Sequence, residues 1–91
     1  MSANFLIIGC GAREISIFRN LKKNVQNKIF FYIPYLHPCV DIESNGYKVF
    51  DGVIDFSECY MYCVENQINY VIIGSENYIN DGIVDYIESL N

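Results

Sequence analysis

Residues 4–21, NFLIIGCGAREISIFRNL, constrain the fold of this chain more than any other segment. Residues 4–8 read as an apolar run without polar alternation, the pattern of a strand buried on both faces. The run stops at Gly9-Cys10-Gly11, and a helix is expected from Ala12 or Arg13 to Lys23. Its apolar residues Ile17, Phe18, Leu21 and Val25 recur at three- and four-residue steps, which leaves Arg19, Lys22 and Lys23 to water. A strand that passes through a Gly-x-Gly turn into a helix aims backbone N–H groups and the positive end of the helix dipole at one point, where an anion such as a phosphate is favoured. Gly9 and Gly11 would let the backbone approach that anion closely, and Arg13 would add a charge-assisted hydrogen bond. The plainer alternative is that both glycines serve only the turn, with Arg13 and Glu14 solvated.

The remaining chain repeats the alternation of strand and helix. Residues 28–33 read as a second buried strand, and Pro34 and Pro38 then hold an irregular loop. Asn45-Gly46 is a turn signal with a short strand over 47–50 behind it. Asp55 reads as a helix N-cap with Glu58 three residues on, a capping-box variant. The helix it starts would carry Phe56, Tyr60, Cys63 and Val64 inward and end near Gln67. Residues 70–73 are another strand, closed by Gly74, and a last helix starts near Asn80 or Asp81. This order implies an α/β fold, a parallel sheet flanked by helices on both faces. Ligands bind such sheets at the carboxyl ends of the strands, which singles out the loops 9–14 and 74–79. In the second loop Ser75 and Glu76 would set a hydroxyl and a carboxylate beside the first, suited to a ribose hydroxyl or an amine. Otherwise Ser75 or Asn77 turns the chain and Glu76 is surface.

Charge and composition exclude several classes. Eleven acidic against six basic side chains give a net charge of −5, which argues against nucleic acid, where phosphate neutralisation dominates affinity. No apolar run approaches the ~20 residues of a membrane span, and a basic segment followed by a long apolar one is missing at the start, so a cytoplasmic protein is expected. The four cysteines are then expected as free thiols. A zinc site would have to use Cys59, Cys63, His37 and Cys39, but C-x-x-x-C is a weak ligand signal and H-x-C a strained one, so no metal is expected. Cys63 is expected inside, with Cys59 one turn away on a similar face. A nicotinamide site is disfavoured as well: Glu14 stands where the dinucleotide fingerprint has its third glycine, and Tyr32-Ile33-Pro34 stands where the ribose-binding acid belongs. His37 is the sole histidine and no nucleophile–base pair stands out, so the chain reads as a ligand-binding half and not a complete catalyst. With 52% hydrophobic residues in 91, one small domain with an uncovered face is expected, suited to a second domain or a second copy.

Two blocks together carry a resemblance. Gly9-Cys10-Gly11-Ala12-Arg13-Glu14-Ile15 is similar to G-x-G-G-R-E-H. The segment 71–79, V-I-I-G-S-E-N-Y-I, followed by Gly82-Ile83-Val84-Asp85, is similar to V-V-G-P-E-x-P-L and G-I-V-D. At this separation the chain resembles the N-terminal domain of the phosphoribosylamine–glycine ligase family, of the ATP-grasp superfamily, over residues 4–90. The resemblance implies a Rossmann-like pre-ATP-grasp domain spanning 1–91. It also implies substrate contacts from Gly9, Gly11, Arg13, Glu14, Ser75 and Glu76 to phosphoribosylamine or a related sugar phosphate. ATP and magnesium are implied only for an ATP-grasp region, which would lie outside these residues and would be a partner, as would a second copy of the domain. Ala12, Ile15 and the Pro34-Tyr35-Leu36 segment depart from the family's glycine, histidine and P-G-N. These departures keep a second reading open: a stand-alone interaction module that retained the fold and lost the site.

Overall fold

A computed structural model describes residues 3–51 and 53–73. Within them the apolar run becomes β1 (Asn4–Ile8), where Leu6, Ile7 and Ile8 are wholly buried. The chain continues through α1 (Ala12–Leu21), β2 (Lys28–Ile33), α2 (Pro38–Glu43), β3 (Gly46–Val49), α3 (Phe56–Glu65) and β4 (Tyr70–Ile73). The four strands form one sheet in the order β3-β2-β1-β4, every pair parallel. This is the expected α/β, Rossmann-like arrangement. The loop 74–79, with Ser75 and Glu76, and the helix expected from Asn80 or Asp81 lie outside the described residues.

Alternation along the strands divides the core in two. Ile7, Ile29, Phe31 and Ile33 pack with Phe18 and Ile15 of α1 and Val40 of α2. On the opposite face Leu6, Ile8 and Tyr32 pack with Phe50, Ile54 and Cys59. Phe18 meets Phe31 edge-on with ring centroids 5.0 Å apart. Each such buried side chain contributes about 1.5–3 kcal/mol. Coverage of both faces explains why β1 and β2 read as continuous apolar runs.

Several expectations need correction. α1 stops at Leu21, whose carbonyl accepts from the Asn27 side chain at 3.0 Å, so Val25 lies beyond the helix and is 93% exposed. The segment after Pro34 is not wholly irregular. Pro38 starts a short helix, and His37 caps it, its Nδ1 accepting from the Cys39 N–H at 3.1 Å. Asn45-Gly46 leads into a parallel strand and not a hairpin. The Asn45 side chain accepts from the Ile29 N–H at 2.8 Å, which sets the register of β3 beside β2.

In α3 the inward residues are Phe56, Cys59, Tyr62 and Cys63; Val64 is exposed, and Tyr60 is outside the core. Cys59, not Cys63, is the fully buried thiol. Its hydrogen bond with Cys63, together with burial, pushes the Cys59 thiol up. All four cysteines are free. Val40, beside Cys39, packs on the sheet face opposite the one that Cys59 and Cys63 cover, so the two halves of the conceivable zinc set stand apart. Among the described residues no three His, Cys, Asp or Glu gather as a metal-ligand set.

Candidate functional site at the carboxyl edge

The sheet order places a topological switch beside β1: β2 and β3 extend to one side, β4 lies on the other. Ile8 is level with Tyr32 on β2 and with Ile73 on β4, so Gly9 leaves the sheet at the switch point. In open parallel sheets this crevice is where ligands bind.

Gly9 has φ +104, a conformation that side chains disfavour. Its N–H is used within the fold, donating to the Tyr32 carbonyl at 3.0 Å. Gly9 therefore supplies a change of direction and an open face, not a donor for an anion. Gly11 is the extended N-cap of α1 and makes no side-chain cap. Its carbonyl accepts the first helical bond, from the Ile15 N–H at 3.0 Å.

The open face of Gly9 is occupied by Glu14. A Cβ on Gly9 would fall 2.5 Å from Glu14 Oε1, and one on Gly11 would fall 3.4 Å from Oε2. Glu14 is only 7% exposed, the one buried charged side chain among the described residues. The plainer alternative, a solvated Glu14, therefore fails. The glycines and the acid fit as one unit, with a carboxylate laid over the turn. Arg13 stands exposed on the same first helical turn. The structure thus brings Gly9, Gly11 and Glu14 into contact, with Arg13 beside them.

A second concavity, of about 600 Å3, opens on the other side of the turn, between α1 and the β2–α2 connection. Gly11, Ile15, Arg19, Tyr35 and His37 are among its walls. The Cys10 thiol donates to the Tyr35 carbonyl at 3.8 Å, and burial pushes that thiol up. Sequence reasoning passed over His37 and Arg19 as site residues. The one available signal was Pro38, a residue favoured at the first position of a helix.

The phosphoribosylglycinamide synthetase N-domain family matches residues 3–91. The phosphoribosylamine–glycine ligase of Methanosphaera stadtmanae is 32% identical over 83 residues, covering 91% of this chain and 18% of that protein. The chain therefore spans less than a fifth of the length of that curated relative. No solved structure matches it. The parallel sheet, the glycine turn at its switch point and the match along nearly the whole sequence agree: the chain belongs to the phosphoribosylglycinamide synthetase N-domain family.

Proposed function

We propose that this chain is the substrate-binding N-terminal part of a cytoplasmic phosphoribosylamine–glycine ligase of purine biosynthesis. It would bind phosphoribosylamine or a related sugar phosphate and catalyse nothing alone. The observation that carries the reading is the buried carboxylate of Glu14 over the Gly9–Gly11 turn at the switch point. A carboxylate at such a turn can accept hydrogen bonds from donors on a ligand. The hydroxyls of a ribose, or an amine on its C1, supply them. Arg13, Ser75 and Glu76 would complete the contacts. No helix among the described residues is long and apolar enough to cross a membrane. ATP and magnesium would bind an ATP-grasp partner region.

The test is a calorimetric titration with ribose 5-phosphate, with ribose and inorganic phosphate as controls. Saturable binding of the sugar phosphate is expected. Glu14→Gln, which keeps the shape and removes the charge, should weaken it by about 1.5–3 kcal/mol, the scale of a hydrogen bond to a charged group. Absence of binding at millimolar ligand would sink the substrate reading. It would favour instead the interaction module, for which exposed Tyr35, Tyr47 and Tyr70 offer apolar surface.

A further inference from the structure

The concavity beside α1 has a chemistry of its own. Its roughly 600 Å3 suits a small phosphorylated sugar. α1 presents Ala12, Ile15, Ser16 and Arg19 to it, a single stripe at three- and four-residue steps. Glu14, two residues past Ala12, falls on the opposite side of the helix. Among the described residues no Asp or Glu lines this cleft. Its polar side chains are those of Ser16, Arg19 and His37, with the thiols of Cys10 and Cys39 and the Tyr35 hydroxyl.

The two basic groups are held in place. Arg19 Nη2 donates to Cys39 Sγ at 3.6 Å. A thiol is a weak acceptor, so this contact fixes the guanidinium without satisfying it. Glu43 of α2 feels the Arg19 charge and shares a hydrogen bond with Cys39, and it is tied to Lys22 at 3.1 Å. His37 spends Nδ1 on the Cys39 N–H, which leaves Nε2 as the ring's donor. A guanidinium and an imidazole N–H on the walls of one cleft form a site for a phosphate. The Gly9–Gly11 turn, by contrast, already carries the Glu14 carboxylate, and a second anion there would meet like charge.

We infer that the phosphate of the ligand binds in the cleft beside α1, against Arg19, His37 and Ser16, and not over the glycine turn. The inference rests on the sugar-phosphate reading above and deepens it, because it fixes which way the ligand lies. The sugar points toward Gly11 and the phosphate toward the middle of α1.

The experiment is calorimetry with ribose 5-phosphate on the wild-type chain, Arg19→Ala, Arg19→Lys, Arg13→Ala and, as a charge control, Lys28→Ala. Lys28 is exposed at the amino end of β2, at the far edge of the sheet. Arg19→Ala should weaken binding about tenfold or more, the factor of one charge-assisted hydrogen bond. Arg19→Lys should lose less, since charge is kept and only the fork is lost. Lys28→Ala should bind as wild type does. Wild-type affinity in Arg19→Ala, or a loss confined to Arg13→Ala, would overturn the placement of the phosphate and leave the sugar-phosphate reading standing. Failure of the wild-type chain to bind ribose 5-phosphate would overturn both.

Discussion

Gly9 and Glu14 act as a pair, and each explains the other. The positive φ at Gly9 costs a non-glycine residue roughly 1–3 kcal/mol. A Cβ there would also collide with the carboxylate at 2.5 Å. Gly9→Ala should therefore lower stability by at least about 1–3 kcal/mol, read from the urea midpoint. Shortening the acid in the same chain, Glu14→Ala, should recover the collision but not the backbone strain, so the double variant should be less destabilised than the sum of the singles. Strict additivity would show that the two residues do not meet. The sequence displayed both residues, yet not their contact. A glutamate on the first turn of a helix ordinarily faces water, and its burial depends on the open face of a glycine five positions earlier.

Elements were legible where local chemistry settles them and obscure where a partner decides. β1, β2 and β4 occupy the ranges expected of them, 4–8, 28–33 and 70–73. Asp55 caps α3, its Oδ1 accepting from the Glu58 N–H at 3.0 Å, as its spacing implies. The other half of the capping box is rerouted: Glu58 Oε1 accepts from the buried Tyr32 hydroxyl at 2.8 Å, and that oxygen receives the Asp55 N–H at 3.3 Å. No local pattern announces a tyrosine from a neighbouring strand. The phase of α3 was misread for the same reason, since the sheet selects the stripe through Cys59.

The far end of α3 closes with the Ile68 N–H on the Cys63 carbonyl at 3.0 Å and the Gln67 N–H on that of Val64 at 3.2 Å. This double closure puts Gln67 at φ 54, where glycine is usual. Gln67→Gly should raise stability by about 0.5–1 kcal/mol, the roughly 1–2 kcal/mol cost of a left-handed side chain less the entropy that glycine loses on folding, measured by urea unfolding. A loss would mean that the Gln67 side chain contributes more than its backbone strain costs.

At the scale of the molecule, buried acids that prefer to stay protonated set the response to alkali. Burial raises Cys10 above its ordinary 9.0 and raises Tyr62 from 10.0 to about 12. Burial and the Glu58 hydrogen bond push Tyr32 higher still. In each case the unfolded chain releases its proton first. Their contribution is thus complete below about pH 9 and is lost as pH rises through the folded values. The urea midpoint should fall between about pH 9 and about pH 10.5, and Tyr62→Phe should reduce the fall. A flat profile would contradict the burial of these groups. The fold as a whole was readable because alternating strands and helices admit few arrangements. The cleft was not, because its walls come from α1 and from a connection that became structured only against it.

The position of β1 bears on how the chain emerges from the ribosome. The central strand is made first and one of its two neighbours last among the described elements. Until residues 66–73 follow, one edge of β1 has no native mate. Asn4 and Asn69 then clasp: the Asn4 N–H donates to Asn69 Oδ1 and the Asn69 N–H to the Asn4 carbonyl, each at 2.8 Å. For the few seconds of elongation between β3 and β4, a nascent chain shows a bare apolar strand to its surroundings. Slowed translation across that interval would lengthen the exposure, and a stalled chain would be prey to aggregation or to a chaperone.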